Sequence, residues 1–321
     1  MISINTDNWK TEFVRLLQQP VMDRAFSLKT AFIPGKLYKY ISINNLKEER
    51  LNAISNEKIW IANPQTMNDP FDSGLGLLEE QLSTYLLKEN FEELIRKAGF
   101  DKFFNNAEIE DIRNSPDSMN RMIELVRIKY PDYNKKIDDT LPFLKEFQSS
   151  YFAQTLQNFN STLRSSVKIS CFSESFDSML MWPHYADSHK GICIEYNYGS
   201  LEPGDSRRRL LYPVIYSEEL FDATTFLTDQ KINAPLIALL AAMYKSPHWS
   251  YEKEWRLIIP GGIIQDDSLF SAAPISAIYL GTRISGVDKE LIRSVATKKN
   301  VALFQMRMQQ RKFALTHDRV A

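Results

Sequence analysis

The residues best suited to chemistry lie in Trp249-Ser250-Tyr251-Glu252-Lys253-Glu254-Trp255-Arg256. Glu252 and Glu254 are two apart, so on a strand they share a face. Two carboxylates held together repel, and one of them then binds its proton more tightly. Such a glutamate can act as a base or stabilise a developing positive charge without covalent chemistry. Arg256 belongs to the same face and, on an open surface, would simply neutralise the pair. The surrounding aromatics favour a cleft.

Four other clusters offer polar groups. Tyr38-Lys39-Tyr40 alternates faces along a short strand and can project a side chain toward an anionic or ribose group. Asn68-Asp69-Pro70-Phe71-Asp72 is a turn-former whose two carboxylates can also meet a metal or a sugar hydroxyl. In Ser170-Cys171-Phe172-Ser173-Glu174 the chain leaves a strand; Ser173 or Ser175 there can cap a helix or aim a hydroxyl at a ligand. Trp182, His184, Tyr185, Asp187, His189 and Lys190 fall within nine residues, and Tyr185 and His189 are spaced to share a helical face. That cluster reads as core packing or as a platform for a planar ring. The five-residue His spacing suits no common zinc pattern, so no metal is expected.

The elements that must carry these side chains follow from the periodicity. Short strands are predicted at 36–42, 58–63, 167–173, 191–197, 210–217, 252–260, 276–281 and 301–308, and helices at 7–19, 44–55, 177–189, 233–246 and 286–299. From about 78 to 165, apolar residues recur every three or four positions, as in Leu82, Leu86, Leu87, Phe91, Leu94 and Ile95, then Met122, Leu125 and Ile128. Irregular alternation of strands and helices predicts an α+β fold with a mixed or antiparallel sheet. Residues 1–77 and 166–321 form its core, and 78–165 a helical insertion.

Composition narrows the function classes. Thirty-nine Lys and Arg balance 40 Asp and Glu, for a net charge of -1, so no global positive field draws the chain to phosphate. Glycine is scarce, 11 in 321 residues, and Gly74-Leu75-Gly76 lacks a third glycine, which excludes a Rossmann fingerprint and a P-loop. The N-terminus has no signal-peptide pattern, and the longest apolar run, Ala234 to Met243, is too short to span a membrane. Cys171 and Cys193 sit in apolar surroundings, as buried thiols of a reducing compartment do. A cytoplasmic protein without membrane partners is expected.

Taken in order, LYKY, NDPFD, CFSES, MLMWPHYADSHKGICIEY and WSYEKEWRL resemble a bacterial family of unknown function, DUF2971, over roughly 36–75 and 165–315. The order of elements also resembles the ADP-ribosyltransferase superfamily. There a first strand carries a His or Arg that orients NAD, a second carries Ser or Tyr before a helix, and a later strand carries the catalytic Glu, often as Glu-x-Glu. The resemblance implies a split-sheet core, with Lys39, or alternatively Tyr40, at the first position, Ser173 at the second, and Tyr185 against the nicotinamide. Lys39 departs from the usual His or Arg. Tyr38 and Trp182 complete the residues expected to bind NAD, the co-substrate, with no metal required. Glu254 is expected to hold the ribose and offset positive charge, and Glu252 to orient or deprotonate the acceptor.

The function implied is NAD-dependent mono-ADP-ribosyl transfer to a macromolecular acceptor, protein or nucleic acid, as in a bacterial toxin or antiphage effector. The helical insertion would then meet a target, an antitoxin or a chaperone. A metal-dependent nuclease using Asp69, Asp72, Glu195, Glu252 and Lys253 is one alternative, and a non-enzymatic binding module another. The basic residues Arg207 to Arg209, with Lys298, Lys299, Arg307, Arg311, Lys312 and Arg319, favour a nucleic-acid acceptor if they converge beside the cleft.

Overall fold

The computed structural model describes residues 8–45, 48–78, 103–115, 117–228, 234–261 and 269–320. The apolar spacing from Leu82 to Ile95 lies outside the described residues. The chain is α+β and divides into two compact units. The first comprises Met1–Gly74, Arg164–Leu220 and Ala238–Ala321. The second comprises Leu75–Leu163 and Phe221–Ile237.

The first unit is built on a mixed eight-stranded sheet. Its strands are β1 (Lys36–Ile41), β2 (Val167–Ser173), β3 (Ile192–Asn197), β4 (Leu211–Pro213), β5 (Glu254–Pro260), β6 (Ile275–Leu280), β7 (Ala302–Met308) and β8 (Leu315–Arg319). Their order is β8-β7-β6-β3-β1-β2-β5-β4. Neighbours are antiparallel except β6 and β7, which are joined by the helix Gly286–Lys299. Ser285 caps that helix by accepting from the Asp288 amide, and Asn300 ends it in the left-handed region.

β3 and β5 are buried along nearly their whole length, as strands covered on both faces are. On one face the helices Asn8–Leu17 and Asp23–Phe32 bring Trp9 against Phe32, at 4.4 Å, and against Trp255 of β5, at 6.1 Å. On the other face lie Tyr38, Tyr40, Cys193, Ala277 and Tyr279, packed with Met181 and Trp182.

The second unit is described by its helices Asn106–Asn114, Ser118–Lys129 and Asn134–Ser165, the last of which runs one residue pair into the first unit. Asn105 and Glu108 form a capping box at the first of these. Phe104 and Ile112 are buried with Met122, Leu125 and Val126 around them.

Several element boundaries differ from expectation. The helix predicted over 177–189 shrinks to Met181–Tyr185, because Asp187, Ser188 and His189 take φ of 48°, 52° and 69°. This left-handed run lets the chain turn tightly: a Cβ on Gly281 would stand 2.1 Å from the His189 carbonyl oxygen. Tyr185 and His189 therefore share no helical face; His189 instead stacks on Trp182 at 6.0 Å. The strand predicted at 210–217 breaks after Pro213, and Ile215–Tyr216 pairs in parallel with Tyr244–Lys245. The apolar helix stops at Ala241 rather than reaching 246. β8 forms a hairpin with β7 that the periodicity did not indicate. Among the described residues no helix is long and apolar enough to cross a membrane.

Candidate functional site

β1, β2 and β5 lie side by side in the middle of the sheet. Tyr38 pairs with Ser173, and Ser173 pairs with Glu254, so three residues far apart in the chain form one cross-strand row. β1 pairs with β3 along six residues but meets β2 at that row alone. Beyond it Ala62 bridges Ile169 of β2 in place of β1, and the two strands part. A cavity of about 200 Å³ opens there. Tyr38, Tyr40, Ser173, Tyr185, Glu252 and Glu254 are among its walls, with Met67, Asn68, Asp72, Cys171, Met181 and Lys245.

The two glutamates arrive by a route that strand periodicity does not describe. The strand starts at Glu254, and Glu252 ends the short helix Pro247–Glu252. Lys253 between them is left-handed, with φ of 44°, so the chain reverses locally instead of alternating. The carboxylates nevertheless converge on one cation. Lys245 Nζ donates to Glu252 Oε2 at 2.5 Å and to Glu254 Oε2 at 2.8 Å. Tyr185 donates its hydroxyl to Glu252 Oε1 at 2.6 Å. Ser173 Oγ donates to the Glu252 carbonyl at 2.7 Å, which ties the end of β2 to the loop carrying Glu252.

Behind this pair lies a second ionic layer. Arg256 is fully buried; its Nε donates to Glu254 Oε1 at 2.8 Å and its two terminal nitrogens fork onto Asp72 at 2.8 and 2.6 Å. Arg256 Nη1 also donates to the Ala242 carbonyl at 2.8 Å. Arg256 is thus an interior clamp of the site, not part of a surface ladder. Asp72 is its counter-ion, whereas Asp69 turns back to accept from the Phe71 amide at 2.9 Å.

These contacts divide the ionisation states. Burial alone would push Glu254 up, but the charges of Arg256 and Lys245 hold its carboxyl well below the usual carboxylate range. Glu252 is pushed up by burial and by the adjacent Glu254 charge, against the pull of Lys245 and Tyr185. The Tyr185 hydroxyl is raised by burial and by its bond to Glu252. Lys245 keeps its proton firmly despite burial, because two carboxylates face it. Asp72, Glu252 and Glu254 face Lys245 and Arg256, three carboxylates against two cations, so full ionisation leaves one negative charge on this cluster.

The expected site residues separate into two groups. Tyr38, Tyr40, Ser173, Tyr185, Glu252 and Glu254 are brought together at the cavity. Lys39 also touches the cavity, but strand alternation sends it to the face opposite Tyr38 and Tyr40. Its Nζ donates to Ser170 Oγ and the Cys171 carbonyl, each at 3.0 Å, across the gap between β1 and β2. Trp182 is not at the cavity: it is fully buried, donates to the Phe176 carbonyl at 2.8 Å and meets Tyr40 edge-on. Its ring serves the core, because the shortened helix turns it under the sheet.

Lys245 escaped the sequence reading. It follows the apolar run Ala234 to Met243 and looks like a solvated helix end. The one local hint is a lone lysine seven residues before the first glutamate. In the basic run Arg207 to Arg209, two of the three arginines have partners within the fold. Arg207 pairs with Asp205 at 2.6 Å, and Arg208 donates to the carbonyls of Tyr198 and Leu201. Buried Lys29 donates to the carbonyls of Arg208, Arg209 and Leu211, and burial with the neighbouring arginines lowers its pKa to about 7. Arg209 is exposed, with its guanidinium over the Phe26 ring at 5.9 Å. Among the described residues no group of three or more His, Cys, Asp or Glu is placed to hold a metal ion.

A family model described as protein of unknown function (DUF2971) matches residues 181–257. The matched stretch runs from the helix bearing Tyr185 to the β5 segment bearing Glu254 and Arg256, and includes Lys245. Comparison with curated proteins and with solved structures finds no match.

Proposed function

We propose that the protein is an NAD-dependent ADP-ribosyltransferase whose reaction takes place in the cavity beside Glu252 and Glu254. The observation that carries this reading is the row Tyr38, Ser173, Glu254. The superfamily resemblance requires a first strand, a serine-bearing second strand and a glutamate strand to meet, and these three are adjacent. In this reading Tyr38 and Tyr40, rather than Lys39, are what β1 offers the ligand.

The two glutamates have the properties the reaction needs. Breaking an N-glycosidic bond builds positive charge on the ribose ring, as in glycoside cleavage. The bond's electron pair leaves with nicotinamide, which becomes neutral. Glu254, held ionised, stabilises the charged sugar and accepts from its hydroxyl. The acceptor then bonds to the anomeric carbon and gives its proton to Glu252, whose proton affinity is raised by burial and by Glu254, as suits a base. The cavity is below the roughly 300–1,000 Å³ of common ligand pockets, so it suits a ring-sized part of a dinucleotide rather than the whole.

The nuclease alternative has less support. Asp72, Glu252 and Glu254 already bond to Lys245 or Arg256, and Glu195 accepts from Lys36, Ser276 and Tyr279. The test is incubation with labelled NAD and cell lysate, followed by separate protease and RNase treatment. Transfer of label that is lost in Glu254→Gln and in Glu252→Gln, with folding retained, is expected. Undiminished transfer by either variant would sink its assigned role, and absence of any NAD binding would favour a binding module.

A further inference from the structure

Beside the cavity a row of rings packs along the same sheet face. Tyr38, in the cavity wall, lies 5.4 Å from Phe176. Phe176 stacks on Tyr279 at 4.5 Å and 21°, and Tyr279 on Phe304 at 5.1 Å and 18°. His317 stands edge-on to all three, at 5.2, 5.5 and 4.9 Å. Tyr38 and Tyr279 are buried in the core, whereas Phe176, Phe304 and His317 are half-buried and pack against it.

Strand alternation continues this face through Met306 to Met308, which is 75% exposed, and into the β7–β8 turn. There Phe313 is 97% exposed. Arg311 and Lys312 beside it are exposed and, among the described residues, their side chains make no ion pair or hydrogen bond. Arg307, by contrast, is paired with Asp318. A phenylalanine left almost wholly in water contributes nothing to the core. It stands beside the two cations at the tip of the turn.

We propose that the β7–β8 turn, with Phe313 as its stacking ring and Arg311 and Lys312 as its cations, binds single-stranded nucleic acid. Exposed rings stack on unpaired bases, and neighbouring cations track the phosphates; that combination is the common basis of single-strand binding. A duplex hides its base faces and offers this ring nothing. Gln309 and Gln310 between Met308 and Arg311 make the turn polar, which disfavours insertion into lipid. On the transferase reading, and only on it, the bound strand is the acceptor; binding itself needs neither NAD nor the glutamates.

The test is fluorescence anisotropy of the full chain with labelled single-stranded RNA and DNA oligonucleotides of mixed sequence, without NAD, between about 50 and 200 mM salt. The native chain is expected to bind single strands, more weakly as salt rises. Arg311→Ala/Lys312→Ala should flatten the salt slope by about 1.4, at about 0.7 per phosphate on a single strand. Phe313→Ala should weaken binding about 5- to 150-fold with the slope kept. All three side chains are exposed, so unchanged melting temperatures are expected. No binding at low salt, binding indifferent to both variants, equal affinity for duplex, or tip-dependent binding only to phosphatidylglycerol vesicles would each overturn the inference. A chain that binds the oligonucleotide but transfers nothing to it removes the transferase reading and leaves this one standing.

Discussion

Replacing Lys245 by Met removes the cation that the two glutamates share. Its Nζ lies 2.5 and 2.8 Å from their oxygens, and its side chain is 5% exposed. At an effective dielectric near 20, each contact amounts to roughly 6 kcal/mol of Coulomb energy. Burial of the ammonium offsets much of that. The net loss on breaking a buried ion pair is about 3–5 kcal/mol, a large share of a domain's usual 5–15 kcal/mol. The loss should depend on pH. Glu252 already binds its proton more tightly in the folded chain than in the unfolded one. The native state therefore carries more protons, and stability falls as pH rises from the unfolded carboxylate range through the folded value. Without Lys245 this slope steepens, because Glu252 keeps only Tyr185 as a donor and still faces Glu254. Arg256 and Cys171 still contact Glu254, and the Lys39 charge still acts on it from the other face. Urea denaturation of Lys245→Met at pH 5 and pH 8 should show the larger deficit at pH 8, with an unchanged m-value. Glu252→Gln in the same chain should recover part of the deficit, a coupling of about 0.5–3 kcal/mol. A deficit below about 1 kcal/mol, or one equal at both pH values, would refute a Lys245-centred charge balance.

Two further outcomes follow from the same cluster. Asp72→Asn leaves the fully buried Arg256 with Glu254 as its one carboxylate, so a loss of about 3–5 kcal/mol by chemical denaturation is expected; a change within about 0.5 kcal/mol, the size of an ordinary surface substitution, would deny the clamp. Tyr185→Phe removes a donor that favours ionised Glu252, so Glu252 should bind its proton at higher pH and the acid limb of the transfer rate should move up in pH. A limb that stays put or moves down would separate Tyr185 from the proton step.

The individual candidates were legible because each sits in a short local pattern. Tyr38 and Tyr40 alternate on a strand, Ser173 ends one, and Glu252 and Glu254 stand out as charges among aromatics. The α+β class followed from the same periodicities. Details failed where local rules were overridden. Left-handed residues at 187–189 and 253 redirected the chain, and the register of neighbouring strands decided the rest.

By itself the sequence determined which side chains are capable of chemistry, the α+β class, and the absence of the common glycine-rich nucleotide motifs. The tertiary structure alone decided that Tyr38, Ser173 and Glu254 form a row, that Arg256 meets Asp72 across 184 residues, and that Lys245 joins the two glutamates. It also decided that Trp182 serves the core and that Lys39 reaches the far face. The physical reason is range. Periodicity reports how a side chain alternates along its own element, whereas partnership depends on register between strands whose closure is set by packing of the whole sheet.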